Sequence, residues 1–193
     1  MSNDEKKKVQ WARKVMNDKT REIVTALNTE TMDALEISGE HWREVCKWKT
    51  YASVHFPAFD LNYDVVPHKT FDFIFAEQVL EHVKYLYRAV RNVYRMLRSG
   101  GRFLVTTPFL IQIHAHPMDF TRWTEDGIRY LLEEGGFDVH RCSTGSWGNL
   151  ECVIADFRSC SQGLTWNFYD ADKHSLVNQR NYPSVVWAVA QKN

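Results

Sequence analysis

The sequence predicts an open α/β fold, a mostly parallel sheet with helices on both faces, from three observations. Residues Phe71–Val83 read FDFIFAEQVLEHV, an apolar strand-like run that stops abruptly at Glu77, Gln78, Glu81 and His82. Leu86, Val90, Val93 and Leu97 then recur at helical spacing, Gly100 and Gly101 end the helix, and Phe103–Thr107 reads as another strand. That succession is a parallel crossover unit. Upstream, Glu36 and Asp60 stand 24 residues apart, the scale on which a nucleotide-binding βαβ unit places its second acidic group. In such sheets the ligand crevice lies beyond the carboxyl ends of the strands, so the polar groups released after Ala76 face a ligand rather than the core.

The remaining elements follow in order. Residues 1–8 form a charged start, and Val9, Ala12, Met16, Ile23 and Leu27 line one face of a helix within an N-terminal segment, 1–30, that leans on the sheet or over the crevice. Ala34–Ile37 reads as the first strand, His41–Trp48 as a short helix, and Ala58–Leu61 as the tip of a second strand ending in Asp60. Thr124 is an N-cap for a helix whose first turn carries Glu125 and Asp126 and whose Ile128, Leu131 and Leu132 face inward until Gly135 and Gly136. Phe137–Cys142 is the expected next strand. About 40 residues, 143–183, then intervene before the last strand and carry Trp147, Phe157, Trp166, Phe168 and Tyr169. An insertion of that length is expected as a substrate lid, with an extra core layer or subunit interface as the alternative.

With 193 residues, 44% hydrophobic and 25% charged, the chain fits one domain spanning 1–193. A formal net charge of zero gives no global drive toward nucleic acid or an anionic membrane, so the expected partner is a small-molecule substrate. Homo-oligomerisation is left open. Four cysteines without a CxxC pair, and no signal peptide or long apolar run, fit free thiols in a reducing cytoplasm.

The run FDFIFAEQVLEHV followed by NVYRMLRSGGRFLVTTPF resembles the central block of class I S-adenosylmethionine-dependent methyltransferases of the small type 11 branch. The resemblance extends from about Asp33 to Phe137, with Val185–Ala190 similar to the usual last, antiparallel strand. It implies a Rossmann-like methyltransferase fold and S-adenosylmethionine as cofactor. It also aligns Glu36 with the acidic residue that helps orient the methionyl amine and sets Glu77 and Gln78 beside the reactive methyl group. The loop Tyr63–Val66 would then carry adenine contacts, with Asp64 suited to accept from the exocyclic amine. The glycine-rich turn of that family is degenerate here, reading Ser38, Gly39, Glu40, His41, Trp42. Ser38 substitutes for glycine there if its φ stays negative, and Glu40 repels the cofactor carboxylate unless it turns outward. Asp60, followed by Leu61, is the expected acceptor for the ribose hydroxyls, a turn or capping role being the alternative; Glu36 has a structural hydrogen-bonding role as its alternative.

Methyl transfer is an in-line displacement, and a hydroxyl acceptor must also lose its proton, for which histidine is the natural base near neutral pH. His82, His114 and His116 are the candidates. The loop after Thr107 carries the pattern HxHPxDxxRxT, in which Asp119 and Arg122 either pair with each other or contact substrate. Trp147, in the insertion, is a further candidate for substrate contact. Glu81, His82, His114 and His116 also offer metal-ligand chemistry, but Gln78 stands where related metal-binding stretches carry an acid, so no metal is assigned. The expected activity is methyl transfer to a hydroxyl of a sugar, glycan precursor or secondary metabolite. A catalytically silent partner subunit of the same fold, motivated by the degenerate turn, and a different nucleotide-binding enzyme such as a dehydrogenase are the competing readings.

Overall fold

The computed structural model describes residues 8–163 and 166–193. A six-stranded sheet runs through them, built from β1 (Asp33–Ile37), β2 (Thr50–Val54), β3 (Phe71–Glu77), β4 (Leu97–Pro108), β5 (Cys142–Trp147) and β6 (Val185–Gln191), in the order β2-β1-β3-β4-β6-β5. β1 pairs in parallel with β2 and β3, and β3 with β4, whereas β6 runs antiparallel to both β4 and β5. The expected mostly parallel sheet with an antiparallel last strand is therefore observed.

Strand alternation sorts the core into two faces. Leu35, Ile37, Ile74, Ala76, Phe103 and Val105 point to the face covered by α3 (Leu86–Met96) and α4 (Glu125–Glu134). Ala34, Phe73, Phe75 and Leu104 point to the other, where α1 (Lys14–Thr25) lays down Val24 and α2 (His41–Val45) lays down Trp42. A third cluster joins Trp11, Ala12 and Met16 to Trp147, Cys152 and Val185 beneath α5 (Leu150–Ser161). No helix among the described residues is long and apolar enough to cross a membrane.

Four elements differ from expectation. The second strand is Thr50–Val54 rather than Ala58–Leu61, because Ala34–Ile37 pair with Tyr51–Val54 and leave Asp60 in the crossover beyond the strand. There Asp60 Oδ1 accepts from Asn62 N at 2.9 Å and closes a turn. The fourth strand begins at Leu97, ahead of the glycine pair, through a register shift opposite Phe71–Phe73. The strand expected at Phe137–Cys142 starts only at Cys142, since Asp138 Oδ1 accepts from His140 N at 2.9 Å and holds 139–141 in a 3₁₀ turn. The aromatics of 143–183 divide: Trp147 and Tyr169 join the third cluster, Phe157 and Phe168 are exposed, and Trp166 reaches the crevice. That segment also meets the N-terminus, where Tyr169 N donates to Val9 O at 2.8 Å and Trp11 N to Asn167 O at 2.9 Å.

Asp156 on α5 is 3% exposed, and burial pushes its carboxyl up to about 6. An acid whose pKa is raised in the folded state costs nothing below its unfolded value near 3.8 and its full amount above about 6, so stability falls as pH rises through that window. About two pKa units amount to about 3 kcal/mol. Asp156→Asn is expected to raise stability by up to that amount at pH 7.5 and to leave it unchanged at pH 3.5, as read by urea denaturation at the two pH values.

Candidate functional site

A cavity of about 600 Å³ opens beyond the carboxyl ends of β1 and β3, within the usual size of a small-molecule site at ~300–1,000 Å³. Ile37 and Ser38 at the end of β1, Asp60, Leu61 and Asn62 of the crossover after β2, and Glu77–Val79 at the end of β3 line it. His82, His114 and His116 line it too, with Met118 and Trp166. Arg13, just before α1, lines it as well.

The β1 turn is built around Glu36. Its carboxylate, 2% exposed, accepts from the backbone N–H groups of His41 (3.0 Å) and Trp42 (2.9 Å), and from the Tyr51 hydroxyl. The acid therefore satisfies the first N–H groups of α2 and lies outside the cavity lining. Gly39 is required by this arrangement, since a Cβ there would overlap Glu36 Oε1. Ser38 has φ +59, not the negative value expected of it, so a non-glycine residue occupies the left-handed region. That conformation costs about 1–2 kcal/mol, which glycine would relieve while losing about 0.5–1 kcal/mol through its greater freedom when unfolded. Ser38→Gly is expected to gain up to about 1 kcal/mol in chemical denaturation; a loss instead would mean that the Ser38 hydroxyl has a role of its own.

Glu40 turns outward, its Oε1 accepting from Ser53 Oγ at 3.0 Å with Arg43 Nη2 at 3.6 Å. Trp42 is fully buried on the α1 face, stacked on Phe75 at 4.8 Å, and its indole N–H donates to Glu77 Oε2 at 3.0 Å. Neither residue lines the crevice. Asp64 bends back so that its Oδ2 accepts from Asp60 N at 2.6 Å, which directs it to the turn rather than to the cavity.

At the end of β3, Gln78 also adopts a left-handed conformation (φ 55), fixed by its N–H to Thr106 O at 2.9 Å and its Nε2 to Thr106 Oγ1 at 3.1 Å. Its Oε1 accepts from Arg13 Nη2 at 3.3 Å. Burial, reinforced by Glu36, pushes Glu77 up to about 7, with the Trp42 indole and Arg13 opposing. The sequence does not single out Arg13, which reads there as one polar position of an amphipathic helix. Its spacing beside buried Ala12 and Met16 is the only sequence feature that distinguishes it.

The histidine loop is held from behind. Asp119 and Arg122 form a two-pronged pair, with Nη2 to Oδ2 at 2.7 Å, and Asp119 Oδ2 accepts from His114 N at 2.9 Å. Neither lines the cavity, so of the two roles expected of them the mutual pairing is the one observed, and the pair positions His114. Trp147 likewise is 1% exposed, donates to Leu176 O at 3.0 Å, and belongs to the core. The His82 and His114 rings meet edge to face at 5.0 Å, and His114 meets Trp166 at 5.6 Å. Burial, then His82, lowers the His114 pKa to about 4, so this ring is neutral at physiological pH.

Sheet order and crevice define a Rossmann-like α/β protein whose main crevice lies across the tops of β1 and β3. Residues 16–105 match the family model described as a methyltransferase domain. Among solved structures, a SAM-dependent methyltransferase from Archaeoglobus fulgidus is similar at 11% identity, covering 93% of this chain and 94% of that one with a TM-score of 0.54. A possible histamine N-methyltransferase from Thermotoga maritima is similar at 13% identity over 95% and 98% of the two chains, TM-score 0.56. The phosphoethanolamine N-methyltransferase 2 of Haemonchus contortus, in complex with phosphomonomethylethanolamine and S-adenosylhomocysteine, aligns at 11% identity over 91% of this chain but 52% of its own, TM-score 0.59. No curated protein matches the sequence. Just under half of the chain thus matches a methyltransferase domain, and the chain as a whole shares the fold of these SAM-dependent methyltransferases.

Proposed function

We propose that this protein transfers the methyl group of S-adenosylmethionine to a hydroxyl of a small polar acceptor, such as a sugar, a glycan precursor or a secondary metabolite. The observation that carries the reading is the chemistry gathered in one cavity, where Arg13, Ser38, Asp60 and Glu77, suited to the donor, share the lining with three histidines suited to an acceptor. The donor has an amino-acid end, a ribose and an adenine, and the residues present fit each. The Arg13 guanidinium stays cationic despite burial and suits a carboxylate. Glu77, poised near neutrality, would be drawn to its ionised form by an adjacent ammonium. Asp60 offers a carboxylate to ribose hydroxyls, and Leu61, Val79 and Val83 supply apolar wall for a flat base.

When bound, S-adenosylmethionine supplies an electrophilic methyl group on a sulfonium. The histidine wall would seat the acceptor opposite it, and His116, exposed and lining the cavity, would take the hydroxyl proton and release it to solvent. Titration calorimetry with S-adenosylmethionine tests the reading: binding at micromolar to sub-millimolar affinity is expected, and no heat or thermal shift at millimolar ligand would sink it. A catalytically silent binding subunit is the second reading, supported by the full engagement of Glu36 away from the cavity. Cofactor binding without turnover on any hydroxyl acceptor would favour it.

A further inference from the structure

At the acceptor end of the cavity, three ligand-type side chains face one another across a gap. Glu81 is fully buried, and neither of its oxygens reaches a hydrogen-bond partner on another residue. His114 Nε2 is likewise buried and without a partner. Glu81 Oε1 lies 3.7 Å from His82 Nε2 and 3.8 Å from His114 Nε2, beyond hydrogen-bond reach in both cases. His82 Nδ1 sits 2.6 Å from Met118 O, and a carbonyl only accepts, so Nδ1 carries the proton and the lone pair of Nε2 is directed at the carboxylate. An acceptor facing an acceptor in a dry site is repulsive unless a proton or a cation lies between them. Arg13 and Arg122 attract the Glu81 carboxylate through space, but their hydrogen bonds go to Gln78 Oε1 at 3.3 Å and to Asp119.

We propose that Glu81, His82 and His114 bind one divalent first-row transition ion of the zinc type. Their ligand atoms all lie within 4.8 Å of one another. Bonds of ~2.1 Å would set tetrahedral ligands roughly 3.4 Å apart, so a contraction of a few tenths of an ångström at each close pair, and somewhat more across the third, completes the site. Two imidazoles and one carboxylate select zinc, iron, cobalt or nickel over magnesium or calcium, which prefer all-oxygen shells. The outer shell is in place, with Met118 O fixing the His82 ring and the Asp119–Arg122 pair holding the His114 backbone. Both histidines line the cavity while Glu81 lies behind them, so the remaining coordination positions open toward the acceptor. Three protein ligands with an open position is the arrangement of a catalytic rather than a structural zinc site. The metal site would form without the cofactor, and its test uses none.

Tag-free full-length protein is stripped with a chelator, dialysed and titrated with Co²⁺, then with Zn²⁺ in competition, reading visible absorption and thermal midpoint. One equivalent of Co²⁺ is expected to bind at micromolar affinity or tighter, with an absorption band that Zn²⁺ abolishes, and to raise the midpoint; Mg²⁺ should do neither. Glu81→Gln and His82→Ala, each checked for folding by circular dichroism, are both expected to weaken Co²⁺ binding by at least about 100-fold. Failure of the wild-type protein to bind one equivalent, or unchanged affinity in either folded variant, would overturn the proposal. Because the readouts need no S-adenosylmethionine, a negative result here is separable from a failure of methyl transfer.

Discussion

Arg13→Met is expected to weaken S-adenosylmethionine binding by about 10- to 100-fold while leaving the fold intact. Arg13 lines the cavity and its guanidinium donates to Gln78 Oε1 at 3.3 Å, leaving further N–H donors for a ligand carboxylate. A hydrogen bond between charged partners contributes about 1.5–3 kcal/mol, and each 1.4 kcal/mol is about tenfold in affinity. Methionine preserves the apolar stem, so the change isolates charge from packing. Arg13→Lys should recover part of the affinity, because it restores the charge without the planar fork. Calorimetry on the three proteins reads the result, and equal dissociation constants would place the carboxylate elsewhere.

His116→Ala should lower kcat by about 10²- to 10⁴-fold with the cofactor dissociation constant unchanged, the usual range for loss of a general base. His116 is exposed, lines the cavity and is not one of the proposed metal ligands, although its ring meets His82 edge to face at 6.3 Å, so its removal takes away no ligand and no core side chain. The split between kcat and cofactor affinity is what distinguishes proton transfer from a binding defect. His114 is the weaker candidate for the same task, since burial holds its pKa near 4 and a base that acidic removes protons poorly at neutral pH. Turnover unaffected in His116→Ala would show that the proton leaves by another route.

The strand from Phe71 to Glu77 and its polar exit are legible in the sequence, because a buried strand that breaks off at Glu and Gln must deliver those side chains to a crevice at its carboxyl end. Asp60, Leu61, Glu77 and Gln78 reach the cavity as expected, as do Ser38 and the three histidines. Glu36 and Asp64 do not line it, because each carboxylate is drawn to backbone N–H groups of a neighbouring turn, and Gly39 does not because it packs against Glu36. Local capping bonds of that kind depend on which N–H groups are left unpaired, and a linear pattern does not reveal them. The displacement of β2 has a similar source. Ala58–Leu61 is as apolar as Thr50–Val54, and only pairing with β1 decides between them. Trp147 illustrates the opposite difficulty, since a tryptophan in a long connection serves equally well as a ligand contact or a core plug. Glu81 is visible in the sequence as a ligand-type residue, but nothing there shows that His114, from a loop 33 residues away, faces it.

The N-terminal strap gives the cavity a mechanical property. Trp11 stacks on His174 at 4.0 Å and donates to Ser175 O at 3.0 Å, while its backbone is tied to Asn167. Arg13 lies two residues beyond Trp11, and Trp166 immediately precedes Asn167. A fluctuation that unstacks this one indole therefore loosens Arg13 and Trp166, two parts of the same cavity wall, in a single stroke, so that they share a common latch.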